Sequence, residues 1–316
     1  MVLNENYMIS IPNFTLNNGN SIPQIAFGPG ILRYKISYPL HRYTPNGILR
    51  RLINRFYTLP SQDRCYIHSI NSAINNGFRL IDYSETYGHY DLVKKAISAS
   101  GVKREDLFFT TRVGNRLQDR GRKAIRESFF KGLKELEMDY VDLLQFHWPV
   151  TGKFVDTWQE MTGLQKEGYV RNIGVANCHQ HHLEAIYESS GVWPSVNQFE
   201  IHPLFTQKPL LKYCQERGIV VEAYTPIARY DDRLVRLPLV KNIAEKYGKS
   251  IVQVILRWHV QNGVIPVVRA MSAKHQQENL DIFDFALTPE EMAAIESVNI
   301  NSRLRYDPDN CDFNIL

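Results

Sequence analysis

Asp82, Tyr87, Arg112 and His147 are the side chains whose types and placement suggest shared chemistry. Asp82 closes the run Gly77-Phe-Arg-Leu-Ile-Asp82, and Tyr87 follows five positions later in Tyr-Ser-Glu-Thr-Tyr87-Gly88. Arg112 ends Leu107-Phe-Phe-Thr-Thr-Arg112, and His147 ends Val141-Asp-Leu-Leu-Gln-Phe-His147. An arginine is permanently charged and pairs with a carboxylate on a neighbouring strand. The positive field left over would favour the phenolate of Tyr87, lowering its pKa from a free value of about 10. A tyrosine tuned in this way gives or takes a proton at neutral pH. His147 would donate a hydrogen bond to a substrate oxygen and orient it beside Tyr87. The set therefore suits protonation of a carbonyl oxygen as something adds to its carbon. No Ser-His-Asp spacing or nucleophile elbow is present, which argues against acyl transfer. Taken singly, Asp82 also reads as a helix cap and Tyr87 as rim packing.

What must position these residues is a regular alternation. A polar turn with a glycine in Asn13 to Pro23 predicts a β-hairpin. A short apolar strand at 25–28 follows. From Gln62 onward, helices at 63–76, 89–99, 120–137, 154–167, 179–189 and 208–217, and helical segments within 236–262, each lead into a strand, at 79–82, 107–113, 141–149, 170–177, 196–201, 219–226 and 264–269. Helices at 273–281 and 289–298 close the chain. The strands are short and nearly continuous in apolar residues, as strands buried on both faces are. Eight such units predict an α/β fold, a (β/α)8 TIM barrel with an N-terminal hairpin and an extra C-terminal helix. No Gly-x-Gly-x-x-Gly follows the first strand, which argues against an open dinucleotide-binding sheet. In such barrels the strand C-termini carry the site. Here they hold Asp82, Arg112, His147, Asn177, Gln198, Tyr224 and Arg269. One polar strand end is usually a cap, whereas seven on one rim make a site.

Composition sets the bounds. The 316 residues are 44% hydrophobic and 22% charged, an ordinary globular balance. A single domain over 1–316 is expected. No apolar run is long enough to span a bilayer. The first residues lack a signal-peptide pattern. The four cysteines are scattered without a Cys-x-x-Cys pair. A cytoplasmic protein with reduced thiols is the expectation. His179, His181 and His182 open a helix with no cysteine or carboxylate cluster near them in sequence, so no metal site is expected.

These motifs also resemble a family. From the hairpin to the C-terminus, apart from one insert, the chain is similar to the aldo-keto reductases. The resemblance rests on Gly77 to Gly88, Val141 to Pro149, Gly174-Val-Ala-Asn177, Val196-Asn-Gln198 through His202-Pro203, Ala223-Tyr224-Thr225-Pro226 and Asp281-Ile-Phe-Asp-Phe285. It implies an NADPH-dependent carbonyl reductase in which Tyr87 delivers the proton. Tyr224 would stack on the nicotinamide, and Asn177 and Gln198 would hold its carboxamide. Thr225 and Pro226 belong to the same cofactor strand. Arg269, Glu278 and Asn279 would meet the adenosine end, with Arg269 near the 2′-phosphate. Trp148 and Gly30 fall in the substrate pocket.

Four departures accompany the resemblance. Arg112 stands where the family has its catalytic lysine. It keeps the charge but not the geometry, so it either acidifies Tyr87 or displaces the phenol. Gly30 replaces a pocket aromatic. Ala270 and His275 replace the phosphate-binding serine and arginine, which leaves NADH as an alternative cofactor. Residues 31–62 enlarge the loop after the first strand and carry six basic residues and no acid; with +4 overall, the rest of the chain sums to −2. Ile48, Leu49, Leu52, Ile53 and Phe56 share a helical face there, opposite Arg50, Arg51 and Arg55. Two readings stay open: a lid favouring an anionic substrate, or a helix packed on the barrel with solvated arginines. Nucleic-acid or membrane partners are not expected from so small a basic face. A monomer or weak homo-oligomer acting on a small carbonyl compound is the leading expectation. The alternative is an NADPH-binding protein with weakened catalysis, serving as a sensor or binding partner.

Overall fold

The computed structural model describes residues 11–31 and 59–313. The proposed lid falls on residues 32–58, outside the described residues. Among the described residues ten strands are seen: β1 Asn13–Thr15, β2 Ser21–Pro23, β3 Ala26–Phe27, β4 Leu80–Asp82, β5 Phe108–Val113, β6 Val141–Phe146, β7 Val170–Ala176, β8 Val196–Glu200, β9 Val220–Tyr224 and β10 Val264–Val268. The first two form the expected antiparallel hairpin. The other eight close a parallel barrel in the order β10-β3-β4-β5-β6-β7-β8-β9.

Side-chain alternation along a strand divides each one between two cores. One set, with Phe27, Ile81, Phe109, Leu144 and Val221, packs outward against the helices. The other set, with Ala26, Leu80, Phe108, Leu143, Val196 and Ile265, packs with Leu16 and Ile22 of the hairpin region. These inward residues sit low on their strands, so the hairpin plugs the N-terminal mouth. Polar ties hold it there: Asn17 Nδ2 donates to Pro194 O at 3.0 Å, and Asn18 and Asn20 both donate to Asn172 Oδ1. With that end closed, the opposite rim is left for chemistry.

The helices follow from spacing and caps. In Gly121–Leu136, Ile125, Phe129, Leu133 and Leu136 recur at helical intervals and are buried. That helix ends where Glu137 turns left-handed at φ 54°. The expected helical segments of 236–262 are two helices, Pro238–Tyr247 and Ile251–Gln261, preceded by a short one at Asp232–Val235. Pro238 favours a new start, Gly248 caps in the left-handed region, and Ser250 with Gln253 forms a capping box. A short helix, Asn115–Asp119, also precedes Gly121. The expected strand 219–226 is trimmed to β9, because Thr225 turns to φ 50°. Among the described residues no helix is long and apolar enough to cross a membrane.

Candidate active site

The inward columns that are apolar at the bottom become polar at the top. Leu80 is followed two residues on by Asp82, Phe108 by Thr110 and Arg112, Leu143 by Gln145 and His147, Val196 by Gln198 and Glu200, and Val220 by Glu222 and Tyr224. The pleat therefore aims these groups into one space at the C-terminal rim.

The deepest layer is a hydrogen-bonded network, although Arg112 Nε, Gln145 Oε1 and Glu222 Oε1 find no partner among the described residues. Arg112, 2% exposed, donates through Nη2 to Asp82 Oδ1 and through Nη1 to the Tyr83 carbonyl at 2.7 Å. Gln198 Nε2 reaches across the barrel from β8 to Asp82 Oδ1 at 3.2 Å and to Glu222 Oε2 at 2.7 Å. Gln145 Nε2 donates to the same Glu222 oxygen at 3.2 Å. Burial, reinforced by the charge of Asp82, pushes the Glu222 carboxyl up to about 7, while Arg112 and the two glutamine amides oppose the shift.

Above this layer lies a cavity of about 260 Å³, whose lining includes Gly28, Gly30, Asp82, Tyr87, His147, Trp148, Asn177, Gln198, Tyr224, Thr225 and Arg269. Arg112 stands behind Asp82 and is not part of this wall. It makes no hydrogen bond to Tyr87, so the hydroxyl is not displaced by the guanidinium. Tyr87 lies half-buried with its ring edge against Tyr83, centroids 5.5 Å apart.

The expected acidification of Tyr87 is not found. Burial, the largest influence, raises its pKa; Arg112, Arg305 and Arg269 pull it down without overcoming this, and Asp82 adds to the rise. Arg112 lowers it by less than burial raises it, and Asp82, paired with the same guanidinium, offsets part of that lowering. Tyr87 is thus a neutral phenol at physiological pH, able to give a proton. His147 is pushed down to about 3, first by burial and then by Arg112 and Arg305. It is a neutral imidazole there, able to donate or accept a hydrogen bond but not to act as an imidazolium acid.

Asn177 takes the left-handed region at φ 61°. Its Nδ2 donates to the His147 carbonyl at 2.9 Å, and its Oδ1 accepts from the Tyr224 hydroxyl at 2.7 Å. Asn177 and Gln198 therefore spend part of their amide capacity inside the protein, fixing His147, Tyr224 and Asp82 relative to one another.

A second cleft, about 780 Å³, runs from Thr225 and Pro226 past Arg229 and Arg269 to Ala270, His275, Glu278 and Asn279. Thr225, Arg229 and Arg269 line both it and the inner cavity, so the two spaces meet. Arg269 does not lie at the far end alone. A Cβ built on Gly30, itself at φ 67°, would sit 3.4 Å from Arg269 Nη1. The guanidinium thus lies against the place where a side chain at Gly30 would project. A wider mouth of about 730 Å³ adds Gly30, Ile31, Gln62, Cys65, Tyr66, Met271 and Arg305.

This arrangement fits a pyridine nucleotide. A long cleft carries two arginines, Arg229 and Arg269, and it joins a small cavity lined by Tyr224. Thr225 Oγ1 is buried there without a hydrogen-bond partner among the described residues.

Sequence reasoning missed Tyr66, Glu222, Arg229 and Arg305. Glu222 was readable as a lone acid in an apolar strand with the parity of Tyr224. Tyr66 donates to the Gly30 carbonyl at 3.0 Å from a helix with no distinguishing motif. The C-terminal segment also brings a carboxylate to the three histidines, which the local sequence did not show. Asp309 lies 2.7 Å from His179 Nδ1, 3.2 Å from His181 Nε2 and 3.6 Å from His182 Nε2. His182 Nδ1 accepts from the His179 amide, so its neutral ring carries the proton on Nε2, facing Asp309.

The sequence model described as Aldo/keto reductase family matches residues 58–300. The chain is 41% identical over 245 residues to the glyoxal reductase of Bacillus subtilis, covering 78% of this chain and 87% of that protein. It is 37% identical to the methylglyoxal reductase DkgA of Salmonella typhimurium, covering 77% and 88%. Among solved structures, an aldo/keto reductase from Brucella melitensis superposes with TM-score 0.77 at 34% identity, covering 92% of this chain and 100% of that one. A Bombyx mori aldo-keto reductase in complex with NADP gives TM-score 0.78 at 30% identity, covering 95% and 97%.

Proposed function

The chain belongs to the aldo/keto reductase family, and from that premise we propose that it reduces a carbonyl to an alcohol with NADPH, Tyr87 giving the proton. The observation that carries this is the shared wall of the inner cavity. Tyr87, His147 and Tyr224 face one small space that opens into a cationic cleft. When bound, the nicotinamide supplies a hydride to the carbonyl carbon. His147, neutral, holds the carbonyl oxygen by a hydrogen bond, and Tyr87 delivers its phenolic proton to that oxygen. Asp82 and Arg112 act as a neutral pair that fixes the floor beneath Tyr87. Tyr224 offers the ring face for the nicotinamide. Arg269 and Arg229 offer cations to the phosphates, and Glu278 and Asn279 offer acceptors to the adenosine end. With Ala270 and His275 in the cleft, NADH remains the competing cofactor.

The relatives' names point to small aldehydes and 1,2-dicarbonyls as first substrates. The alternative of a silent NADPH-binding protein draws on Arg112, Ala270 and the insert, and what separates it is whether Arg112 leaves the Tyr87 oxygen free. The hydrogen bonds of Arg112 go to Asp82 and Tyr83. The test is NADPH consumption with methylglyoxal by the natural protein and by Tyr87→Phe. Tyr87→Phe should lower kcat by about 10²–10⁴-fold while NADPH binding, followed by fluorescence, changes less than about threefold. Undiminished turnover in Tyr87→Phe would remove Tyr87 from the chemistry.

A further inference from the structure

Among the described residues three arginines border the inner cavity, and they are placed differently. Arg229 and Arg269 line the cofactor cleft, the inner cavity and the mouth. Arg305 lines the inner cavity and the mouth but not the cofactor cleft. It comes from the segment after the last helix, which sequence motifs left without a role.

That segment is fastened on both sides of Arg305. The buried carboxylate of Glu200, at the end of β8, accepts from the Leu304 amide at 2.6 Å and the Arg305 amide at 2.8 Å. His202 Nε2 meets the same carboxylate at 3.0 Å. Upstream, the Ser302 amide donates to Leu204 O at 2.9 Å, and the Arg303 guanidinium lies 4.7 Å over the Phe205 ring. Downstream, Asp309 is held by His179, His181 and His182. The backbone at 305 is therefore a fixed point, unlike that of an arginine on a loose surface loop. Burial works against the charge on Glu200, yet the His202 ring and the two amides hold its carboxyl below the ordinary range, so the anchor stays ionised.

The Arg305 guanidinium lies 5.6 Å from the centroid of the Tyr306 ring, a contact that leaves its charge uncompensated. Among the described residues no carboxylate pairs with Arg305, and Asp82 is the sole acid lining the inner cavity or the mouth. Asp82 is already engaged by Arg112. A solvated surface arginine needs no such anchoring. A cation fixed over the cavity that holds Tyr87 and His147, with no carboxylate counter-ion among the described residues, is complementary to an anion on whatever enters.

Building on the carbonyl-reductase reading, we propose that the physiological substrate carries a carboxylate as well as the reacting carbonyl, and that Arg305 binds that carboxylate. The planar fork of a guanidinium matches a carboxylate through two hydrogen bonds, and pinning the backbone lowers the entropy lost on binding. Arg305 is then a specificity determinant, set apart from the arginines that border the cofactor cleft.

The test compares 4-formylbenzoate with its methyl ester, which keeps the aldehyde and ring but not the charge. The natural protein should favour the acid in kcat/KM by about tenfold or more. In Arg305→Met that ratio should fall to near one, and Arg305→Lys should keep part of it. Isothermal titration with 4-(hydroxymethyl)benzoate, with and without NADP, reads binding without turnover; its affinity should drop at least tenfold in Arg305→Met. A ratio near one in the natural protein, or one unchanged in Arg305→Met, would overturn the proposal while leaving the reductase reading standing. If neither aldehyde is reduced, the reductase reading fails, and the titration then decides the anion site alone. Equal binding by natural protein and Arg305→Met would sink it.

Discussion

Inside the barrel Asp82, Arg112 and Glu222 form one buried, mutually engaged group, while at the mouth Arg229, Arg269 and Arg305 have no carboxylate partner among the described residues. Both regions lie at the C-terminal ends of the strands. They differ in access to water. A buried charge must be answered by the protein, because leaving it unpaired costs several kcal/mol. A charge at the mouth is answered by solvent and can be handed to a ligand. The family's lysine position can therefore be filled by arginine on one condition: its charge is absorbed by Asp82 and its second amino group by the Tyr83 carbonyl. The interior group is structural to the site, and the mouth group is free for recognition.

The comparison breaks first on stability. Arg112→Met strands Asp82 and Glu222 without their counter-charge and should cost about 3–5 kcal/mol. Arg305→Met, at the mouth, should stay within about 0.5 kcal/mol. Urea denaturation of both variants measures this, and equal losses would erase the distinction between the two regions.

A smaller effect sharpens it through pH. Glu222 is raised from 4.5 to about 7 in the folded protein, so the folded state keeps a proton that the unfolded state releases. Stability from this group is complete below about 4.5 and is lost as pH rises through about 7, by roughly 1–3 kcal/mol. Glu222→Gln removes that titration. Its stability relative to the natural protein should rise across this window, as read by melts at stepped pH. A difference that stays flat with pH would place Glu222 outside the coupled group.

Much of this was legible in the sequence, for a physical reason. Apolar strands ending in polar residues announce both a two-faced buried barrel and its functional rim, and each signal lies within a few residues. Asp82, His147, Asn177 and Tyr224 were readable in that way. The expected fall in the pKa of Tyr87 failed because burial and the closeness of Asp82 to Arg112 are tertiary facts. Arg305 and Asp309 were hidden for a similar reason. They sit in irregular chain, and their partners Glu200 and His179 lie more than a hundred residues away. Within the helical segments of 236–262, the apolar period alone did not place the break at Gly248, where caps outweigh periodicity.

The most direct test of the account is the turnover of NADPH with methylglyoxal by the natural protein beside Arg112→Lys. If the Asp82–Arg112 pair leaves Tyr87 free to act, the natural protein turns over, and Arg112→Lys does not exceed it by more than about threefold. A natural protein that binds NADPH but is silent, with activity appearing only in Arg112→Lys, would contradict the account and mark the arginine as the lesion of a former reductase.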